Sequence, residues 1–332
     1  MKKIVFFIAL CFIVGLYILW RQSKFTPVHY LIVATGNPGH IQVWKSQNTK
    51  VTLIKTIDTG FRYVYSARIG DIYNNGTSYI VAGVSNSFFA APYGCKVVAY
   101  DMDQFQSSVI DDVGDLRCKD LTINDADNDG KNEIVLATHG EGVVRLYKWI
   151  NKEWIKTTLE KNFIAAQDKK TGVNHRVPNS ELPCMSCLIQ TAVHIVKIGD
   201  TDNDGKNEII ATMSSPQELK SQIEVSFIRL YKKEGNQWKG ETIDTLSGRE
   251  FRSISIGDIY GNGKNSIVVG IGSPNQVPGS LYAYTFDGTW NKSIVYDDKV
   301  EQNMKSIALG NFSSPVRKDV LLATGFPNAQ IM

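Results

Sequence analysis

From about residue 30 onward, short apolar stretches alternate with turns rich in Asp, Asn and Gly. IVLAT (134–138) and IIAT (209–212) are apolar on both faces, as inner strands covered on both sides are. HIQVWK (40–45), KVVAYD (96–101), VVRLYKW (143–149), FIRLYK (227–232) and LYAYTF (281–286) alternate, as half-covered strands do. A helical period is nearly absent after residue 25. The pattern predicts antiparallel strands linked by tight turns.

The strands recur in units. ARIGDIYNNGTSYIVAG (67–83), LTINDADNDGKNEIVLATHG (121–140), VKIGDTDNDGKNEIIAT (196–212), ISIGDIYGNGKNSIVVGIG (254–272) and IALGNFSSPVRKDVLLATG (307–325) align. Their first loop positions are 71, 125, 200, 258 and 311, so the steps are 54, 75, 58 and 53. The long step implies an inserted loop at about 160–192, the chain's most individual segment. Each unit continues with a third strand and a closing fourth. Four short strands per unit of this length predict a β-propeller of four-stranded antiparallel blades. Five first strands and six second strands point to six blades, with five or seven as alternatives. LIVATG (31–36) lacks a first strand and the last unit stops after its second, so the two chain ends are expected to share closure of the ring.

Residues 1–24 stand apart. Lys2 and Lys3 precede an uncharged apolar run, 4–20, which Arg21 and Lys24 follow. This reads as an uncleaved signal anchor, with a cleaved signal peptide as the alternative. The propeller (25–332) is then expected outside the cytoplasm, at the cell surface, in a periplasm or in a secretory lumen, and secreted if the segment is cleaved. The 36 basic and 33 acidic residues give a net charge of +3, too balanced for a nucleic-acid binder. Beyond Cys11 in the anchor, four cysteines remain. Cys184 and Cys187 form a CxxC that can be a loop disulfide, free thiols, or a redox or metal pair; Cys95 and Cys118 are the other candidate bridge.

The acidic loops carry the clearest chemistry. D-x-D-x-D-G places side-chain oxygens at positions 1, 3 and 5, and hard Ca²⁺ takes six to eight oxygens. The expected ligands are Asp125, Asp127, Asp129, the Lys131 carbonyl and Glu133 in one loop. In the other they are Asp200, Asp202, Asp204, the Lys206 carbonyl and Glu208. The acid falls at position 9 between strands, so these are calcium hairpins and not EF-hands. The loops at 71–79 and 258–266 keep the turn but have Tyr at position 3 and no acid at position 9, and that at 311–319 keeps only one acid; all three are expected to be metal-free.

These D-x-D-x-D-G-x-x-E loops at blade spacing resemble the FG-GAP/VCBS repeat family, which includes the propeller head of integrin α chains. The likeness covers about residues 30–332. The Phe-Gly and Gly-Ala-Pro boxes are missing, which places the chain nearer a looser VCBS branch. The resemblance implies an extracellular propeller for adhesion or ligand binding, sometimes attached to an enzyme. The leading expectation is therefore a membrane-anchored, calcium-binding interaction module with two Ca²⁺ sites, whose partner is a protein or cell-surface glycan and not a nucleic acid. One alternative is a lectin-like carbohydrate-binding propeller. Another is a propeller enzyme, a lyase or hydrolase, which would need acids, His or Arg converging on the axis. His29, His40, His139, His175 and His194 show no ligand spacing; His139 follows a second strand and has two readings, a hydrogen-bonded loop histidine first and a residue facing a propeller opening as the alternative.

Overall fold

The computed structural model describes residues 29–48, 50–86, 94–115, 117–161, 191–216, 224–272, 279–297, 304–311, 313 and 317–324. Every element among them is a β-strand, and every pairing is antiparallel. The anchor (1–24), Cys184, Cys187 and nearly all of the expected insertion lie outside these residues. Among the described residues no helix is long and apolar enough to cross a membrane.

The strands fall into consecutive groups. β1 (His29–Ala34), β2 (His40–Gln47) and β3 (Lys50–Asp58) form a three-stranded sheet. β4 (Tyr63–Gly70), β5 (Tyr79–Ser85), β6 (Lys96–Asp101) and β7 (Ser107–Asp112) form a four-stranded one. β8 (Arg117–Asn124), β9 (Glu133–Gly140), β10 (Val144–Ile150) and β11 (Glu153–Glu160) make the next group. β12 (Thr191–Gly199), β13 (Glu208–Pro216), β14 (Glu224–Glu234) and β15 (Gln237–Ser247) follow. These two groups merge into eight strands, because Thr191 pairs with Gly140 and Ala192 with His139. β16 (Glu250–Gly257), β17 (Ser266–Gly272), β18 (Ser280–Phe286) and β19 (Trp290–Asp297) form a four-stranded sheet, and β20 (Met304–Gly310) pairs with β21 (Asp319–Thr324).

First strands face first strands: β4 packs on β8, β8 on β12, β12 on β16 and β16 on β20. The apolar cores lie between neighbouring groups. Val81, Ala99, Leu121 and Leu136 share one, and Val135, Leu146, Ile209 and Phe227 another. No group can bury its faces alone, which is the physics of a repeat fold. The second strands are the most buried: β9 and β17 are sealed along almost their whole length, as their two-sided apolar sequence predicts.

β1–β3 and β20–β21 are separate sheets among the described residues. Both ends bring a second strand, β1 and β21, so they duplicate a position instead of completing one.

Two further devices lock the groups together. Asn74, Asn128 and Asn203, at loop position 4, have φ of 55°, 61° and 65°. Asn tolerates this left-handed region better than most residues. Each clasps the following hairpin: Asn128 Oδ1 accepts from the Asn207 amide at 2.7 Å, and Asn207 Nδ2 donates back to the Asp125 carbonyl at 2.7 Å. Asn74 with Asn132 and Asn203 with Asn265 repeat the arrangement. The second device is the buried Cys95–Cys118 disulfide, which joins the start of β6 to β8 across a separation of 23 residues. Loop-closure entropy for such a span is about 3 kcal/mol. Replacing both cysteines by alanine should therefore lower the melting temperature by several degrees, read by calorimetry; an unchanged melt would show that packing alone holds this junction.

Candidate functional site

Each first strand carries a β-bulge at the same place. The register slips between Val64 and Ser66, Cys118 and Asp120, Val193 and Ile195, Phe251 and Ser253, and Met304 and Ser306. A bulge re-aims the extra side chain. The extra residues are Tyr65, Lys119, His194, Arg252 and Lys305. The first strands adjoin one another, and Tyr65, Lys119, His194 and Arg252 come close enough there to act on each other's charge.

The centre of this cluster is a histidine pair. His194 on β12 and His139 near the end of β9 meet edge to face, ring centroids 5.0 Å apart, and both are buried. They meet where β9 and β12 pair across two groups. His194 Nε2 lies 2.9 Å from Ser214 Oγ. His139 Nε2 is buried without a hydrogen-bond partner among the described residues. Burial is the main force holding His139 well below the usual imidazole range, and His194, Lys119, Arg117 and Arg252 add to it. His194 is depressed likewise, by burial first and then by Arg252, Lys119 and Arg117. Both rings are therefore neutral at physiological pH, inside a positive surround. Tyr65 stands nearby, its hydroxyl pushed up to about 12 by burial, with Lys119 5.9 Å from its ring centroid.

One turn away, Asp120 binds three groups at once. It accepts from Ser66 Oγ at 2.9 Å and Arg68 at 2.8 Å on β4, and from the Val196 amide at 3.2 Å on β12. Lys197 Nζ lies 3.6 Å away.

The acidic hairpins lie elsewhere, at the β8–β9 and β12–β13 turns. Asp125, Asp127 and Glu133 offer carboxylate oxygens within 4.8 Å of one another, as do Asp200, Asp202 and Glu208. Asp129 and Asp204 are outside these trios; each accepts the amide two residues on, from Lys131 and Lys206. Asp125 is already engaged by the Asp129 and Gly130 amides. Asp71 and Asp258 make the same turn bonds in the loops without acids, so position 1 serves the turn first. Burial pushes Glu133 up to about 7. The oxygen chemistry suits a hard cation. The position does not suit calcium alongside Lys148, whose ammonium touches Asp127 at 2.6 Å, Asp129 at 2.7 Å and Glu133 at 3.3 Å.

Reading the sequence motif by motif missed the inner cluster. Its signal was the repeat alignment: one column of the first strands, six positions before each loop, holds Tyr65, Lys119, His194, Arg252 and Lys305. His139 is correspondingly not a loop histidine; it ends β9, buried against its partner.

Fold and site define a β-propeller-like protein whose inner strands gather cationic and imidazole groups. No protein-family model and no curated protein matches the sequence. Among solved structures, a Bacteroides fragilis protein provisionally named as a 6-phosphogluconolactonase is similar. That match has a TM-score of 0.43 and 11% identity, over 88% of this chain and 86% of that one. A Lactobacillus plantarum protein is similar with a TM-score of 0.45 and 9% identity, over 92% of each chain. The expected adhesion or protein-interaction module is corrected by what the inner strands bring together. The converging His and Arg that only the enzymatic alternative required are present.

Proposed function

We propose that the chain is a propeller enzyme of the hydrolase or lyase type, with its site on the inner strands around His139 and His194. The single observation that carries this is the buried, partnerless Nε2 of a neutral His139 within a ring of cations. A neutral imidazole among positive charges is suited to take a proton from a reactant that is itself anionic. In hydrolysis, His139 Nε2 removes a proton from the attacking water as its oxygen adds to an ester carbonyl. The ester C–O bond then breaks, and the proton passes from His139 to the departing alkoxide. In a lyase, the same nitrogen removes the proton on the carbon beside a carboxylate, the electron pair forms a C=C bond as the C–O bond at the next carbon breaks, and the proton passes from His139 to the departing alkoxide. Arg117, Lys119 and Arg252 neutralise the substrate anion in either case. Assignment of the repeats to the FG-GAP/VCBS family belongs to the same reading, supported by the acidic loops at blade spacing. So does a location outside the cytoplasm, supported by the buried disulfide.

The test is turnover on a panel of anionic esters, lactones and uronate-containing glycans. H139A should lower kcat by at least about 100-fold, the scale of a lost general base. K119M should chiefly raise KM. An H139A variant as active as the parent, or a panel giving neither turnover nor saturable anion binding, overturns the proposal.

A further inference from the structure

The geometry points to Lys148 and Lys232 as the resident cations of the two acidic hairpins, each in the place a calcium ion would take. An ammonium has three donors, and Lys148 Nζ has three carboxylate neighbours, Asp127, Asp129 and Glu133. Its side chain is only 16% exposed, so the charge is held inside the loop and is not swung over it. Lys232 reaches Asp202 at 2.5 Å from the matching place in the next repeat.

The repeats themselves supply a second, independent observation. Four of them have both the hairpin and a described third strand. At the position of Lys148 they carry Asp101, Lys148, Lys232 and Thr285. Lysine occurs in the two repeats whose loop has acids at positions 3 and 9, and in neither of the others. Where lysine is absent, positions 3 and 9 are uncharged. In the β4–β5 loop, positions 3 and 9 are Tyr73 and Tyr79, whose rings meet edge to face at 4.8 Å. In the β16–β17 loop they are Tyr260 and Ser266, and Tyr260 Oη lies 3.0 Å from Ser293 Oγ. Asp101, freed of that role, accepts four amides of its own turn. Carboxylates and lysine thus come and go together, as partners in one buried ion pair do.

A calcium ion bound by Asp127 and Glu133 would need the place where the ammonium sits. Asp127 Oδ1 has no hydrogen-bond partner, so removing the lysine leaves an oxygen-rich cage open to a divalent ion. This inference concerns the hairpins alone and stands apart from the inner-strand site.

The experiment is a pair of thermal melts, in EDTA and in millimolar calcium, with calcium uptake measured by equilibrium dialysis. The full chain should melt at the same temperature in both and take up no calcium. K148M should melt several degrees lower in EDTA. Wild-type protein that takes up two calcium ions and melts lower in EDTA overturns the inference, and so does K148M as stable as wild type in EDTA. If K148M does not fold, K232M provides the same comparison, and the wild-type measurement decides independently of either variant.

Discussion

Replacing Asp120 by alanine will destabilise the protein by about 3 kcal/mol, because it leaves charges and an amide without their partner. Asp120 is 4% exposed and holds Arg68, Ser66 and the Val196 amide, with Lys197 beside it. Arg68 is 38% and Lys197 28% exposed at the side chain, so water relieves part of their loss and the effect falls at the low end for a broken buried pair. The Val196 amide has no such relief. Asp120 also lies between three first strands, so its loss loosens two junctions together. Denaturant unfolding of D120A and D120N checks this. A loss below about 1 kcal/mol would mean that the apolar cores alone align these strands.

The second large effect is a loss of stability on mild acidification, carried by His139 and His194. Both are held below their ordinary value by burial and by Arg117, Lys119 and Arg252. The sign follows from proton counts. Below about pH 6.5 the unfolded chain protonates these histidines while the folded chain does not, so acid favours unfolding. Stability is therefore full above about pH 6.5 and falls as pH drops toward the depressed folded values. Each histidine contributes about 1.4 kcal/mol per pH unit in that window. Melting temperatures from pH 7.5 to 5.5 should fall steeply for wild type and less steeply for H139Q and H194N. Equal slopes in wild type and both variants would place the acid sensitivity elsewhere. In the folded protein the proposed base stays neutral across this window, so activity should fall only as the folded fraction falls.

The two acidic hairpins show where reading by motif stops. D-x-D-x-D-G-x-x-E is legible as an oxygen cage because its ligands are close in sequence. Lys148 is 15 residues beyond Glu133 and Lys232 is 24 beyond Glu208, on another strand of the sheet. Only β9–β10 and β13–β14 pairing brings each lysine to its loop. The asparagine clasps have the same character: Asn128 and Asn207 are 79 positions apart yet hydrogen-bonded.

The sequence by itself determined the all-β class, the repeat unit, the inserted step and the turn at each hairpin. Those follow from local pattern: alternation fixes which strand face is covered, and Asp, Asn and Gly fix where the chain reverses. Tertiary structure decided what the repeats do to one another. It paired β9 with β12, kept β1–β3 and β20–β21 as separate sheets, and brought the bulged residues of adjoining first strands together. It also buried two distant histidines against each other, because the ring brings first strands together whatever their separation along the chain.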